Sequence, residues 1–322
     1  MIGLKEFKSL HHAITLLGMS GVGKTVLSTS LRKSADWYHY SADYRIGTRY
    51  LIEHILDNIK HRIMQMRDPF VANLLRSDSI YIHHNITVDN LETVSTYLGM
   101  YGDPNLGGLD KQTFLMRQNN YRRAEIRSML DVEHFIEKAW HIYGCQAFVN
   151  DASGSLCEIV DIANPLDPVL KALISKTLVL YIKADPKSEA MLIGRARTNP
   201  KPLFYSPTFI EPKLQDNPDN GDNIDPFNFA RPLFPELLEF RKPRYAKIAE
   251  KYGFTVHAKD LFKKDEKGAN NGIPDADTFL TRIHTAIAEQ AHNSKNAAKN
   301  LEYYLKSCKK RARRRNDNTN AY

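Results

Sequence analysis

The chain has 322 residues, 42% hydrophobic and 25% charged, the usual balance of a globular protein with one large domain or two small ones. No apolar run approaches the ~20 residues that span a bilayer, and residues 1–12 lack the pattern of a secretory signal. The three cysteines form neither a disulfide framework nor a metal-binding spacing. These features exclude a collagen, a disulfide scaffold and a membrane channel, and we expect a cytoplasmic protein.

Most of the formal net charge of +8 lies at the C-terminal end. From His292 to Tyr322, nine Lys and Arg residues stand against two acidic residues, a net charge of +7. Such a cluster binds the phosphates of RNA or DNA, or anionic lipid headgroups. A solvated, disordered end has the same composition. We predict a basic C-terminal helix or tail over 291–322, and both interpretations of it stay open.

Short apolar segments alternate with helical patterns along the chain. The predicted strands cover 12–17, 37–42, 146–150, 177–183 and 254–257. Helices are predicted from residue 26 to 32 and over 46–66, 112–143 with a break near Asp131, 165–175, 189–197, 235–252 and 276–300. Residues 79–86 fit a short strand or a loop, and the Pro-, Asn- and Asp-rich segment 200–232 predicts a mobile loop.

Apolar strands that alternate with helices predict an α/β fold with a parallel sheet covered on both faces. We expect residues 1–290 to form one domain with two insertions, at about 67–110 and 205–232.

The segment after the first strand matches the pattern of a P-loop, Gly18-x4-Gly23-Lys24-Thr25. Glycines let the backbone direct successive N–H groups at phosphate oxygens, and the following helix adds its positive N-terminal end. Lysine at this position reaches the β- and γ-phosphates, and the Thr25 hydroxyl ligates Mg²⁺. We expect ATP and Mg²⁺ as cofactors, bound by Gly18, Ser20, Gly21, Val22, Gly23, Lys24, Thr25 and Val26.

Further motifs follow the P-loop in a characteristic order. The second strand ends in Ser41-Ala42-Asp43, and a helix opens with Tyr121-Arg122-Arg123-Ala124-Glu125. After the fourth strand come Arg195-x-Arg197 and Lys201-Pro202-Leu203-Phe204, and then Arg241-Lys242-Pro243-Arg244-Tyr245 before the last strand. This order resembles the shikimate kinase and gluconate kinase group, small-molecule kinases of the P-loop NTPase superfamily.

The resemblance implies a five-stranded parallel sheet of order 2-3-1-4-5, flanked by helices. It implies that Arg122 and Arg241 clamp an anionic acceptor, and that Arg195, Arg197 and Lys201 close over the nucleotide. Bidentate guanidinium groups suit a carboxylate. A surface salt bridge for Arg122 and a charge on a helix face for Arg241 are the alternatives.

Phosphoryl transfer needs charge neutralisation at the γ-phosphate, which Lys24, Mg²⁺ and a lid arginine such as Arg197 would supply. Asp43 is the candidate to hold or deprotonate an acceptor hydroxyl, and a helix cap is its alternative role.

Two positions depart from the family pattern. Ser41 replaces the first aspartate of Asp-x-Asp, which would reach the metal through water. Asp151, at the end of the third strand, is a Walker-B-like candidate for that metal role, and an Asx turn is the alternative. The glycine-rich turn after the third strand is replaced by residues 150–155, which are bulkier and polar, so we do not expect shikimate as the acceptor.

Two functions remain open from the sequence. The first is an ATP-dependent phosphotransferase that acts on a small anionic acceptor. The second is a regulatory ATPase whose nucleotide state controls a partner, with an association to nucleic acid through the basic tail as a variant.

Overall fold

The computed structural model describes residues 2–66, 69–215, 221–263 and 272–319, and of 313–319 only the backbone. The chain divides into two compact units. The first unit contains Met1–Ala42, Met129–Asn199 and Arg231–Tyr322, and the second contains Asp43–Ser128 and Pro200–Ala230. The two expected insertions lie almost wholly in the second unit, which also takes in residues 43–66 and 111–128. Residues 216–220 of the second insertion lie outside the described residues.

A parallel sheet of five strands forms the centre of the first unit. Numbered along the chain, the strands are β1 (Ala13–Leu17), β2 (Trp37–Ser41), β3 (Ala147–Asp151), β4 (Leu178–Lys183) and β5 (Phe254–His257). Their order is β2-β3-β1-β4-β5, with all four pairs parallel. The predicted strands, their parallel arrangement and their order are therefore confirmed.

Helices cover both faces of this sheet. The helices wholly in the first unit are α1 (Leu4–Lys8), α2 (Lys24–Arg32), α8 (Val132–His141), α9 (Leu156–Ile159), α10 (Pro168–Lys176), α11 (Pro186–Thr198), α14 (Ala258–Leu261), α15 (Ala276–Asn293) and α16 (Lys295–Thr319). Alternate strand residues such as Leu16 and Val149 share one buried cluster with α2, α15 and α16. On α8, Phe135 packs against the rings of Tyr38 and Tyr40 of β2.

The second unit is helical. It holds α4 (Ile52–Gln65), α5 (Pro69–Arg76), α6 (Glu92–Leu98), α12 (Pro207–Gln215), a π-helix (Ile46–Tyr50) and a 3₁₀ turn (Pro104–Leu106). The chain passes between the units within α3 (Ala42–Arg45), α7 (Lys111–Leu130) and α13 (Pro226–Tyr252), and once more between Asn199 and Pro200. The predicted break near Asp131 is confirmed, because α7 ends at Leu130 and α8 begins at Val132. Residues 79–86 form neither strand nor helix.

The prediction of one long loop over 200–232 is wrong. α12 begins at Pro207 and α13 at Pro226, both within that segment. Proline is favoured in the first turn of a helix because its missing N–H has no intrahelical partner there. Two of the prolines that suggested a loop, Pro207 and Pro226, therefore mark the starts of helices, and Pro212 and Pro232 lie inside them.

The basic C-terminal segment packs against the first unit through those of its side chains that the structure describes. Ala297, Leu301, Tyr304 and Cys308, on one side of α16, belong to the buried core of the first unit. The spacing of these residues at three or four positions is that of an apolar helix face. The many lysines and arginines on the other faces hid this pattern.

Among the described residues, no helix combines the length and the apolar character needed to cross a membrane.

Candidate functional site

The loop between β1 and α2 has the backbone of a phosphate-binding loop. Gly18, Gly21 and Gly23 have φ angles of +144°, +86° and +100°, which side chains other than glycine rarely tolerate. Gly23 is the residue before the first turn of α2. A Cβ atom at Gly18 would lie 2.8 Å from the carbonyl oxygen of Ile182 in β4. The glycines expected from the motif are thus required by the backbone angles and by the neighbouring strand.

Lys24 is held inside this loop. The residue is 6% exposed, and Nζ donates hydrogen bonds to the carbonyl oxygens of Gly18 at 2.7 Å and Met19 at 3.2 Å. The ammonium group therefore lies over the first residues of the loop, next to the N-terminal turn of α2. Thr25 and Val26, the next residues of that turn, are exposed. A positive charge, a helix N-terminus and an exposed hydroxyl meet where the motif predicts nucleotide phosphates and Mg²⁺.

Asp151 ends the strand next to the P-loop strand. It pairs in register with Leu16 of β1 and Ser41 of β2, and its side chain is 6% exposed. The Oδ2 atom lies 3.6 Å from Nε2 of His39, a buried imidazole whose two ring nitrogens have no hydrogen-bond partner among the described residues. This is an ion pair when His39 is protonated. The sequence analysis did not identify His39, because the alternation of residues along one strand does not show which side chains of the next strand lie close to it.

The donor atoms at this position fit Mg²⁺. This ion prefers oxygen ligands and is usually held by one or two protein groups together with substrate phosphates. The hydroxyl of Thr25 and the carboxylate of Asp151 are such groups. Over the described part of the chain there is no cluster of three or more His, Cys, Asp or Glu residues suited to a metal.

The turn after β3 lies against the P-loop. A Cβ atom at Gly154 would lie 2.8 Å from the backbone nitrogen of Ser20. The turn is held by a hydrogen bond between the hydroxyls of Ser153 and Ser155, at 2.9 Å, and by Tyr245, whose hydroxyl donates to the Gly154 carbonyl at 2.5 Å. The polar turn therefore retains one glycine at the point where it approaches the phosphate loop.

Arg241 lies in a buried ion pair. Its Nε and Nη2 atoms lie 2.7 and 2.5 Å from Oε1 of Glu158, and the arginine is 2% exposed. Burial opposes the charged form of Arg241, but the Glu158 carboxylate outweighs it and keeps the pKa above its ordinary value. The acceptor-binding role of Arg241 stays a prediction, and the structure shows that its charge already has a partner.

The two lid arginines belong to the last turns of α11. The helix begins three residues before its predicted start, because Asp185 caps it by accepting hydrogen bonds from the backbone of Lys187 and Ser188. Arg195 and Arg197 are both exposed. Residues two apart on a helix do not face each other, so these two side chains leave α11 on different sides.

Within the second unit, three of the predicted motifs come together. The Tyr121 hydroxyl donates to Oδ1 of Asp43 at 3.3 Å, and the Tyr121 ring stacks on Phe204 with centroids 5.3 Å apart. Gln118 donates to the carbonyl of residue 203 at 3.1 Å and accepts from the backbone of residue 205 at 2.9 Å. Asp43 and Arg122 are half-buried, and Lys201 is exposed. The segment after Lys201 therefore packs on α7 beside the Asp43 carboxylate.

Comparisons with known proteins add little to this geometry. No protein-family model and no curated protein matches the chain. The chain is similar to a solved structure of shikimate kinase from Acinetobacter baumannii in complex with shikimate. The match covers 89% of this chain and 98% of the shikimate kinase chain, at 13% identity and a TM-score of 0.37. A score this low carries no argument about function. The P-loop geometry and the strand order stand on the structure itself.

Proposed function

We propose that the protein binds ATP and Mg²⁺ at the loop from Gly18 to Thr25 and transfers the γ-phosphoryl group to a small anionic acceptor. The observation that carries the proposal is the position of the Lys24 ammonium group. It is buried within the glycine loop, at the N-terminal turn of α2 and at the carboxyl end of the central strand. Ligands of open parallel sheets bind at this edge, where the strand order changes direction.

The roles of the nucleotide-binding residues follow from the charge of the reaction. The backbone N–H groups of Ser20, Gly21 and Val22 and the helix terminus hold the phosphates, while Lys24 neutralises the β- and γ-phosphates. The Thr25 hydroxyl and Asp151 hold Mg²⁺, which when bound offsets the charge that develops on the phosphoryl oxygens. Arg195 or Arg197 of α11 covers the nucleotide and excludes water.

We assign the acceptor to Asp43, Tyr121 and Arg122. The Asp43 carboxylate accepts the proton of the attacking hydroxyl, and the hydrogen bond from Tyr121 orients that carboxylate. Arg122, the next residue on α7, binds an anionic group of the acceptor.

A regulatory ATPase is the second candidate, and the Arg241–Glu158 pair favours it. An arginine whose charge is neutralised within the protein has little affinity left for an acceptor carboxylate. For this function, the protein binds ATP and hydrolyses it slowly, with no metabolite as acceptor. A partner recognises the nucleotide-bound state.

Calorimetric titration with ATP·Mg²⁺ tests the nucleotide site. We expect Lys24→Ala to weaken ATP binding at least tenfold, since a charge-assisted contact to phosphate is lost. Lys33→Ala is the matched control, because Lys33 is an exposed lysine just after the end of the same helix. Equal affinity of the wild type and Lys24→Ala would refute the P-loop assignment.

A screen of hydroxylated carboxylates for stimulated ADP release separates the two candidates. For a kinase, we expect Asp43→Asn to keep ATP affinity and to lower phosphoryl transfer about 10²-fold or more. Arg122→Ala should raise the apparent KM for the acceptor, whereas Arg123→Ala, an exposed neighbour on α7, should not. Hydrolysis that no acceptor stimulates and that neither Asp43→Asn nor Arg122→Ala changes would support the regulatory ATPase instead.

A further inference from the structure

The second unit contains a cavity that takes no part in the roles assigned above. Its volume is about 680 Å³, within the range of small-molecule sites. It lies between α4, α6, the start of α7 and the segment 99–109. Its polar lining comes mainly from Asn58, Arg62, Asn90, Thr93, Thr96 and Arg117.

Arg117 is the central feature of this cavity because it is buried and forms no ion pair with any of the described residues. It is 4% exposed, and Nη1 donates to the carbonyl oxygen of Tyr97 at 2.6 Å. Its guanidinium carbon lies 5.0 Å from the centroid of the Tyr97 ring. The Nε atom has no hydrogen-bond partner, and no carboxylate among the described residues forms an ion pair with Arg117.

The contact with Tyr97 accounts for only part of this arrangement. Tyr97 lies in the last turn of α6, so the hydrogen bond from Arg117 caps that helix. A guanidinium group carries five N–H donors in a planar fork, and this cap uses one of them. A buried charge without a partner is costly, and an anion in the cavity would remove that cost.

The other charges at the cavity also favour an anion. Arg62, on α4, is an exposed second guanidinium in the lining. Burial lowers the pKa of Arg117, and the positive charge of Arg62 lowers it further. Tyr97 and Asp110 partly oppose this shift. Glu92 is the single carboxylate in the lining. The charged lining therefore has two cations against one anion.

We propose that this cavity binds a small molecule that carries a carboxylate or phosphate group. The buried fork of Arg117 binds the anionic group, and Arg62 contacts it from the solvent side. Asn58 and Thr93 supply further hydrogen-bonding groups for the remainder of the ligand. The proposal does not depend on phosphoryl transfer, since none of these residues belongs to the nucleotide or acceptor sites assigned above.

Titration of the full-length protein with inorganic phosphate and, separately, with citrate tests the proposal. We expect both anions to bind the wild type. Arg62→Ala should weaken binding about three- to fivefold, the scale of an exposed charge pair. Arg117→Lys keeps the charge but loses the fork, and we expect about a tenfold loss. Lys60→Ala is the matched control, because Lys60 is an exposed cation on α4 outside the lining.

A second control separates this cavity from the P-loop, which also attracts phosphate. In Lys24→Ala, citrate affinity should stay at the wild-type value, and so should the component of phosphate binding that Arg62→Ala weakens. If Lys24→Ala abolishes all anion binding while Arg62→Ala and Arg117→Lys bind normally, the anions occupy the P-loop and the proposal is wrong. If Arg117→Lys does not fold, Arg62→Ala decides the outcome by itself, since its side chain is exposed.

Discussion

Two shortened chains test whether α16 belongs to the fold or to a tail. A chain that ends at Ser294 loses the buried side chains of Ala297, Leu301, Tyr304 and Cys308. Burial of a leucine or an aromatic ring contributes about 1.5–3 kcal/mol, and the smaller side chains contribute less. The four together give about 6 kcal/mol, before counting the core surface that their removal exposes. Globular domains have a free energy of unfolding of about 5–15 kcal/mol, so we expect this chain to be unfolded or close to it.

A chain that ends at Ala312 is the matched control. It retains those four side chains and also Arg311, whose guanidinium donates to the carbonyl oxygens of His11 at 3.0 Å and Lys176 at 2.8 Å. It lacks Arg313, Arg314 and Arg315. We expect a free energy of unfolding within about 1 kcal/mol of the wild type, because this chain keeps the core side chains of α16 and the hydrogen bonds of Arg311.

Urea unfolding followed by circular dichroism measures both chains. If the chain that ends at Ser294 is as stable as the wild type, α16 does not contribute to the core of the first unit. Retention on heparin adds a functional measurement on the folded chain that ends at Ala312. A lower eluting salt concentration would place polyanion binding in the last ten residues, and unchanged retention would place it elsewhere.

Three further outcomes follow from buried groups of the first unit. Burial lowers the pKa of His12 from 6.5 to about 4. Below pH 6.5 the unfolded chain therefore takes up a proton that the folded chain does not. The free energy of unfolding should fall by about 2 kcal/mol between pH 7 and pH 5. Chemical denaturation at the two pH values should show a smaller loss in His12→Gln. Gly154→Ala places a Cβ atom against the backbone of the P-loop and should weaken ATP binding about tenfold by calorimetry, whereas Gly194→Ala, with nothing within 4 Å, should not. Arg241→Met should cost about 3–5 kcal/mol in urea unfolding because it removes the cation from a buried ion pair with Glu158, and Arg241→Met combined with Glu158→Leu should cost much less.

The nucleotide loop could be predicted from sequence because its signal is local. The branched apolar run before Gly18 and the helical pattern after Thr25 place the loop between a strand and a helix. Its glycines indicate backbone angles that other residues rarely adopt, and the φ angles of Gly18, Gly21 and Gly23 are positive. The five strands could be predicted for the same reason, since buried parallel strands are short, nearly continuous apolar runs.

The strand order did not follow from those patterns. Periodicity identifies a strand but not its neighbours, and the order 2-3-1-4-5 was expected only from the resemblance in motif order. The structure confirms that order. The helices at Pro207 and Pro226 were missed because proline starts helices as well as ending them.

By itself, the sequence determined the strand–loop–helix unit that carries Lys24, because every residue of that unit is close in the chain. Tertiary structure alone decided which side chains far apart in the sequence contact each other. Glu158 neutralises Arg241 across 83 positions, Tyr121 reaches Asp43 across 78, and Tyr304 packs into the core beside His12, 292 positions away. Such pairs depend on how helices pack on a sheet, and packing is a property of surfaces that no local pattern encodes.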